Sequence, residues 1–340
     1  MGELPVNPDV LVDGFGRIHR DLRLSITDRC NLRCTYCMPE DFAAWTPHQE
    51  LLTREELVRS VAVAVKCGVS SVRLTGGEPL LRADVIDIVS DIAELPNAPR
   101  ISMTTNGVRL AELAGPLSDA GLARINISLD TLDRRRFTAM TMRDRLDDVL
   151  AGITAAQAAG LHPVKINTVL IRGVNEDEAS TLVRHAIDQD WQLRFIEQMP
   201  LDAGGIWERS TMVTADEILE QLSREFTLDP LPDRGSAPAE QFLIDGGPAT
   251  IGIIASVTRP FCGACDRLRI TADGQVRNCL FARTETDLRS VLRDSSLSEA
   301  ERDLQMARAL GSAVLSKAPG HGINDPLFLQ PTRPMSAIGG

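Results

Sequence analysis

The 340-residue sequence predicts an α/β protein: an incomplete, TIM-like (β/α)6 barrel over residues 1–205, followed by an α+β extension over residues 206–340. Three observations carry that prediction. Between about residues 22 and 199, six short apolar runs alternate with stretches of helical period, the pattern of a parallel sheet or barrel. One face of those runs is repeatedly polar, whereas a closed eight-stranded barrel fills its lumen with Val, Ile and Leu. Past residue 205 the alternation stops, and strand pairs joined by turn residues replace it.

The strand runs are 22–27, 72–75, 101–104, 125–129, 164–170 and 193–196. In the first, Leu22, Leu24 and Ile26 share one face and Arg23, Ser25 and Thr27 the other. Val72 and Leu74 oppose Arg73 and Thr75 in the second. Ser102 and Thr104 share a face, as do Asn126 and Ser128, and Lys165 and Asn167. The apolar faces belong under helices and the polar faces in a wide lumen, which six strands leave open. A first helix starts at Thr53, with Glu56 completing a capping box, and sets Leu57, Val61 and Val65 on one side. Further helices cover about 83–93, 109–120, 145–159 and 176–189.

In the extension a helix covers 214–225, again with a capping box, Thr214 and Glu217. Residues 226–240 read as a loop. One hairpin pairs 241–244 with 250–254; another pairs 267–271 with 275–279 around Asp273-Gly274. A helix spans 298–316, and the tail 335–340 shows no element.

The net charge of −11 argues against a general nucleic-acid binder but not against a small anion held in a local basic pocket. No apolar run approaches the roughly 18 residues of a membrane span. The first residues lack the basic and apolar regions of a signal peptide, so a cytoplasmic protein is expected. The seven cysteines comprise two triads and Cys67, which reads as a buried thiol in a helix.

The first triad, Cys30, Cys34 and Cys37, has the spacing C-x3-C-x2-C and leaves strand one. Three thiolates on a four-iron cube leave one iron open. The second triad, Cys262, Cys265 and Cys279, has the spacing C-x2-C-x13-C. Structural zinc needs four ligands, so a zinc-binding regulatory or scaffold protein remains an alternative only if His321 or another residue completes a site. Strand two leads into Gly76-Gly77-Glu78-Pro79, strand three into Thr105-Asn106-Gly107 and strand four into Asp130, at the ends where α/β folds bind ligands. Arg23, Arg73 and Lys165 face the lumen by parity, Arg194 lies at the end of strand six, and Arg267 and Arg269 share a strand face. No phosphate-binding G-x-x-x-x-G-K-[ST] loop exists, so side-chain cations are the route to a bound nucleotide.

The C-x3-C-x2-C loop, with Tyr36 before its last cysteine and Gly-Gly-Glu-Pro after the next strand, resembles the radical S-adenosylmethionine (SAM) superfamily. With the second triad, the stretches 22–28, 73–79, 104–107, 126–130 and 194–200, and the Gly339-Gly340 tail, nearly the whole chain resembles the GTP 3′,8-cyclase family, which opens molybdenum cofactor biosynthesis. The resemblance implies a radical-SAM barrel, two [4Fe–4S] clusters, SAM on the first and GTP on the second. It implies that Tyr36 (by its backbone), Gly77, Ser128 and Met199 receive SAM. Arg23, Arg73, Thr104, Lys165, Arg194, Arg267, Leu268 and Arg269 would contact GTP, and Arg267, Arg269, Gly339 and Gly340 would serve catalysis. A 5′-deoxyadenosyl radical would take hydrogen from C3′ of the ribose, and C3′ would then join C8 of guanine. A low-potential electron donor and a downstream cyclic pyranopterin monophosphate synthase are the implied partners, with the chain a monomer or homodimer and no membrane or nucleic acid involved. Ser71 stands where some members carry Lys. A twin-cluster radical-SAM enzyme acting on a peptide or another small molecule is the alternative within enzymes.

Overall fold

The structure, a computed structural model, describes residues 9–38, 42, 45–202 and 204–339. Six strands and the helices between them appear in the expected order: β1 (Asp21–Ser25), β2 (Ser71–Thr75), β3 (Arg100–Thr105), β4 (Arg124–Ser128), β5 (Lys165–Val169) and β6 (Gln192–Ile196), with α1 (Arg54–Lys66), α2 (Val85–Ala93), α3 (Leu110–Asp119), α4 (Arg134–Thr141), α5 (Leu146–Ala158) and α6 (Ala179–Asp188). The extension adds α7 (Ala215–Leu222), β7 (Leu228–Pro230), β8 (Glu240–Ile244), β9 (Thr250–Ile254), β10 (Arg267–Ile270), β11 (Gln275–Arg277), β12 (Thr286–Asp287), α8 (Arg289–Arg293), α9 (Glu299–Leu315) and α10 (Met335–Ile338).

Both hairpins form, β8 with β9 and β10 with β11. Each also docks on an edge of the barrel sheet. β10 lies parallel to β1, and β9 parallel to β6. One open sheet of 12 strands results, in the order β12-β11-β10-β1-β2-β3-β4-β5-β6-β9-β8-β7. The sheet therefore continues across residue 205 rather than ending with β6.

Parity holds in every barrel strand. Leu22, Leu24, Val72, Leu74, Ile125, Ile127, Ile166, Leu193 and Phe195 are buried in one apolar cluster with the inner faces of the helices. The lumen side carries polar rows set by register. Arg269, Arg23, Arg73, Ser102 and Arg124 stand opposite one another across five strands. Thr104, Asn126 and Lys165 make a second row, and Ser128, Asn167 and Arg194 a third.

The capping boxes at Thr53 and Thr214 are both closed by reciprocal hydrogen bonds, and a third closes at Ser298 with Glu301. Five elements depart from the sequence expectation, one of them the two-residue strand β12, which forms by pairing with β11. The helix α4 lacks an apolar stripe: three arginines open it, and Phe137, Met140 and Thr141 are its buried side chains. It is fixed by Asp133, whose side chain accepts from the Arg136 backbone. The short strand β7 forms inside the expected loop 226–240 because it pairs with β8. The five-residue α8 follows β12 and packs against α9. The tail is the fifth: α10 is helical rather than featureless, and its first backbone N–H donates to the Leu201 carbonyl at 2.9 Å.

Candidate active site

At the carboxyl end of β1 the chain enters the cysteine loop. Its backbone is pinned on one side by α4, with the N–H groups of Arg33 and Thr35 donating to the carbonyls of Thr141 and Met140, each at 2.9 Å. On the other side the Gly-Gly-Glu-Pro turn holds it: Gly77 donates to Thr27 at 2.8 Å and Glu78 to Arg29 at 2.6 Å. Both glycines are required for this approach. A Cβ on Gly76 would strike the Thr27 carbonyl, and one on Gly77 the carbonyls of Asp28 and Arg29. Glu78, fully buried, accepts from the Leu80 and Asn106 backbones and from the Thr105 hydroxyl. Burial pushes its carboxyl up to about 7. Asn106 in turn reaches Cys30 Sγ at 3.8 Å and Asn31 Oδ1 at 2.8 Å.

Cys30, Cys34 and Cys37 are free thiols lining a cavity of about 230 Å³. Burial pushes the Cys30 thiol up to about 11 and that of Cys37 up to about 12. Thiols in this environment ionise only against a bound cation. The described cavity wall holds no histidine and no fourth cysteine. Three soft sulfur donors around open space therefore suit an iron–sulfur cluster with a free iron. Gly77, Ser128 and Met199 line the same cavity. So does Tyr36, whose hydroxyl donates to Asp130 Oδ2 at 2.6 Å. Burial pushes Asp130 up to about 6.

Cys262, Cys265 and Cys279, also free, line a second cavity of about 460 Å³. Two cations clamp their loop from behind. Arg17 donates to the Cys262 carbonyl at 2.6 Å and to that of Ala318 at 2.8 Å, braced by Asp13. The Lys317 ammonium lies 3.5 Å from Cys265 Sγ and donates to the Arg267 carbonyl at 2.8 Å. Burial opposes ionisation of Cys265, but Arg267 and Lys317 outweigh it and hold the thiol below its ordinary value. His321 lines this cavity, yet its Nε2 faces the Ser256 carbonyl at 3.1 Å and its Nδ1 accepts from the Ile323 backbone at 3.2 Å. With both ring nitrogens engaged it does not offer a fourth ligand for zinc. Three sulfurs facing a cavity again suit a cluster with an open iron.

The two cavities share Thr104, Asn167, Ile196, Met199 and Met335 as wall, so the triads stand at opposite ends of one continuous space. The larger end is cationic. Arg23, Arg73, Lys165, Arg194, Arg267 and Arg269 all line it, against Asp21 and Asp266. Gly252 on β9 leaves room for Arg194, since a Cβ there would sit 3.0 Å from its Cγ. Burial first, then mutual repulsion, pulls Lys165 down to about 7, Arg194 to about 10 and Arg269 to about 9; the same causes carry Arg73 well below its usual value. The Nε atoms of Arg23 and Arg73 are buried without a partner. Such a wall is completed by a ligand bearing several negative charges.

Leu268 does not join that wall. It stands in register with Leu22 and is buried in the core, on the opposite strand face from Arg267 and Arg269. Ser71 pairs with Asp21 and Arg100 in the ladder and does not line the cavity. Gly339 lies between β1 and β2: its carbonyl accepts from Arg269, and a Cβ would meet Thr75 Oγ1 at 2.5 Å and Ser25 Cβ at 2.9 Å. Gly340 lies outside the described residues. The cavity also gains Arg124, Arg234 and Met335, which the sequence reading passed over. Extending the β4 parity back from Asn126 would have found Arg124; Arg234 and Met335 carry no sequence signal.

This fold and thiol geometry define a radical SAM protein, and the comparisons agree. The Radical SAM superfamily model matches residues 24–186, and the Molybdenum Cofactor Synthesis C model residues 191–323. Among solved structures, Streptococcus suis SuiB bound to S-adenosylmethionine is similar in fold, with TM-score 0.59 and 14% identity over 95% of this chain and 76% of that one. Native anSMEcpe with bound AdoMet gives TM-score 0.59 and 14% identity over 89% and 82%. A GTP 3′,8-cyclase of Streptomyces coelicolor is 54% identical over 334 residues, 97% of this chain and 96% of its own length. The GTP 3′,8-cyclase 2 of Mycobacterium tuberculosis (strain H37Rv) is 53% identical over 336 residues, covering 97% and 92%. The chain belongs to the GTP 3′,8-cyclase family.

Proposed function

We propose that this chain cyclises GTP to (8S)-3′,8-cyclo-7,8-dihydroguanosine 5′-triphosphate, the first step of molybdenum cofactor biosynthesis. The observation that carries this reading is the single cationic space with a free thiol triad at each end. When bound at the first triad, the cluster and SAM supply the 5′-deoxyadenosyl radical that accepts the ribose hydrogen. The rest is positioning by the chain. Cys30, Cys34 and Cys37 hold the first cluster, and the Tyr36 backbone, Gly77, Ser128 and Met199 receive SAM beside it. Cys262, Cys265 and Cys279 hold the second cluster at the guanine end. Arg23, Arg73, Lys165 and Arg194 take the triphosphate, with Thr104 at the junction of the two cavities. Arg267 and Arg269 lie between the second triad and the tail, and Arg269 anchors Gly339, so that the tail serves catalysis by helping to seal the space.

In this reading residues 1–205 form the radical-SAM barrel, which receives SAM and the triphosphate of GTP, and residues 206–340 the extension that carries the second cluster and the tail. An electron donor of low potential feeds the first cluster, a cyclic pyranopterin monophosphate synthase consumes the product, and the enzyme works in the cytoplasm as a monomer or homodimer. Among the described residues no helix is long and apolar enough to cross a membrane. The test is to give anaerobic, reduced protein SAM and GTP and follow both products by mass spectrometry. The reading expects 5′-deoxyadenosine and a cyclised guanosine nucleotide together. Deoxyadenosine alone would assign the chain to another radical-SAM reaction. A colourless, zinc-loaded protein would make it a scaffold.

A further inference from the structure

Cys30, Cys34 and Cys37 line the inner cavity, whereas Asn31, the residue after Cys30, lines a separate depression. That depression, of about 400 Å³, is also lined by Val108, Arg109, Arg143 and Arg145, with Glu112 and Asp148 in its wall. Asn31 in its wall is linked to the triad through Asn106. Asn31 Oδ1 accepts from Asn106 Nδ2 at 2.8 Å, and the same Nδ2 lies 3.8 Å from Cys30 Sγ. The residues that follow α4, which carry Arg143 and Arg145, are tied to the cysteine loop through the Thr141–Arg33 backbone bond.

The depression is locally cationic on an acidic chain. The chain as a whole carries −11 and repels an acidic protein. Here three arginines face two carboxylates. Arg109 and Arg145 are paired with Glu112 at 3.7 Å and Asp148 at 2.7 Å, while Arg143 is exposed and has no carboxylate partner among the described residues. An acidic partner approaching the molecule is steered to such a spot.

We propose that this depression docks an acidic, low-potential one-electron carrier protein, which reduces the first cluster through the Asn31–Asn106 contact with Cys30. The proposal rests on the radical-SAM reading of the first triad. In the step the carrier is oxidised by one electron and the cluster reduced by one; no bond forms or breaks. Such a redox encounter is transient, and interfaces of that kind lie at the small end, below about 1,200 Å² in total.

The test uses the full-length, two-cluster enzyme and the double variant Arg143→Glu/Arg145→Glu. Both sites are exposed, and Glu at the Arg145 position, beside the N-terminus of α5, is compatible with the helix dipole. Reduction of the first cluster is followed by stopped flow with a reduced, acidic flavodoxin, and separately with photoreduced deazaflavin as a small-molecule reductant. The double variant should be reduced by flavodoxin at least about tenfold more slowly at low ionic strength, the gap narrowing as salt is added. Deazaflavin reduction and the deoxyadenosine it supports should stay at the wild-type level. Equal flavodoxin rates in variant and wild type would overturn the docking site. A loss with both reductants would also overturn it, since the substitutions would then have damaged the cluster itself. A wild-type protein that makes no deoxyadenosine with deazaflavin would instead refute the functional reading, so the two failures are distinct.

Discussion

A methyl group at Gly77 has nowhere to go, because two backbone carbonyls of the cysteine loop fill the place. Gly77→Ala therefore has to part the loop from the Gly-Gly-Glu-Pro turn. Its expected result is loss of SAM binding by tenfold or more in equilibrium dialysis, with iron lost from the first triad and retained at the second. Lys165 gives a pH signature whose sign follows from its depression to about 7 by burial and neighbouring arginines. In the empty site the ammonium loses its proton near pH 7, and a bound triphosphate restores it. GTP binding above that pH should thus take up a proton, and affinity should fall as pH rises. The stability of the empty protein moves the other way. The unfolded chain keeps this proton until about pH 10.5, so between the two values the empty fold gains stability as pH rises. Calorimetry of GTP binding at pH 8 in buffers of different ionisation enthalpy should show the uptake in wild type and not in Lys165→Met. Both sites were legible in the sequence, Gly77 from its motif and Lys165 from strand parity. The crowding that displaces the Lys165 titration was not, because it depends on Arg194 of the next strand and on Arg124, Arg73 and Arg100 from three others.

At the scale of elements, α10 has a function larger than its four residues. Pro334 precedes it, Gly339 ends it in a left-handed conformation, and Met335 within it forms wall of both cavities. Removing Gly339 and Gly340 deprives Arg269 of its carbonyl partner. Turnover of GTP should then fall below detection while iron per chain is unchanged; a truncated enzyme with full turnover would refute a role for the tail. No apolar period marks this helix, and its contacts with Leu201 and Arg269 are tertiary. Reading the segment as featureless was thus the natural outcome of local pattern alone. The strands β1 to β6 were readable for the opposite reason. Each buries one face under helices and shows the other to the lumen, so alternation survives in the sequence. The helix α4 lies between these cases, with too few apolar residues for a stripe but an N-cap at Asp133 that could have signalled it.

For the molecule as a whole, the decisive feature is that the extension completes the barrel sheet rather than sitting beside it. β10 brings Arg267 and Arg269 into register with Asp21 and Arg23, and so joins the second thiol triad to the cation row of the first strands. The hairpins were visible from Asp273-Gly274 and from strand patterning, but their docking was not, since it pairs strands distant in sequence, Leu22 with Leu268 at one edge and Leu193 with Ile251 at the other. Replacing Cys262, Cys265 and Cys279 by Ser should halve the iron from about eight to about four per chain, by the count of two four-iron clusters. SAM cleavage should persist at some level without the cyclised guanosine product, as checked by iron analysis and mass spectrometry; undiminished product would remove the second triad from the reaction. The buried cation row has one more consequence, and it falls on the bench and in the cell alike. A wall of mutually repelling cations attracts any polyanion. Phosphate or sulfate in a buffer, or abundant nucleotides in a cell extract, should raise the melting temperature and compete with GTP, so the choice of background anion becomes a reagent in every measurement made on this enzyme.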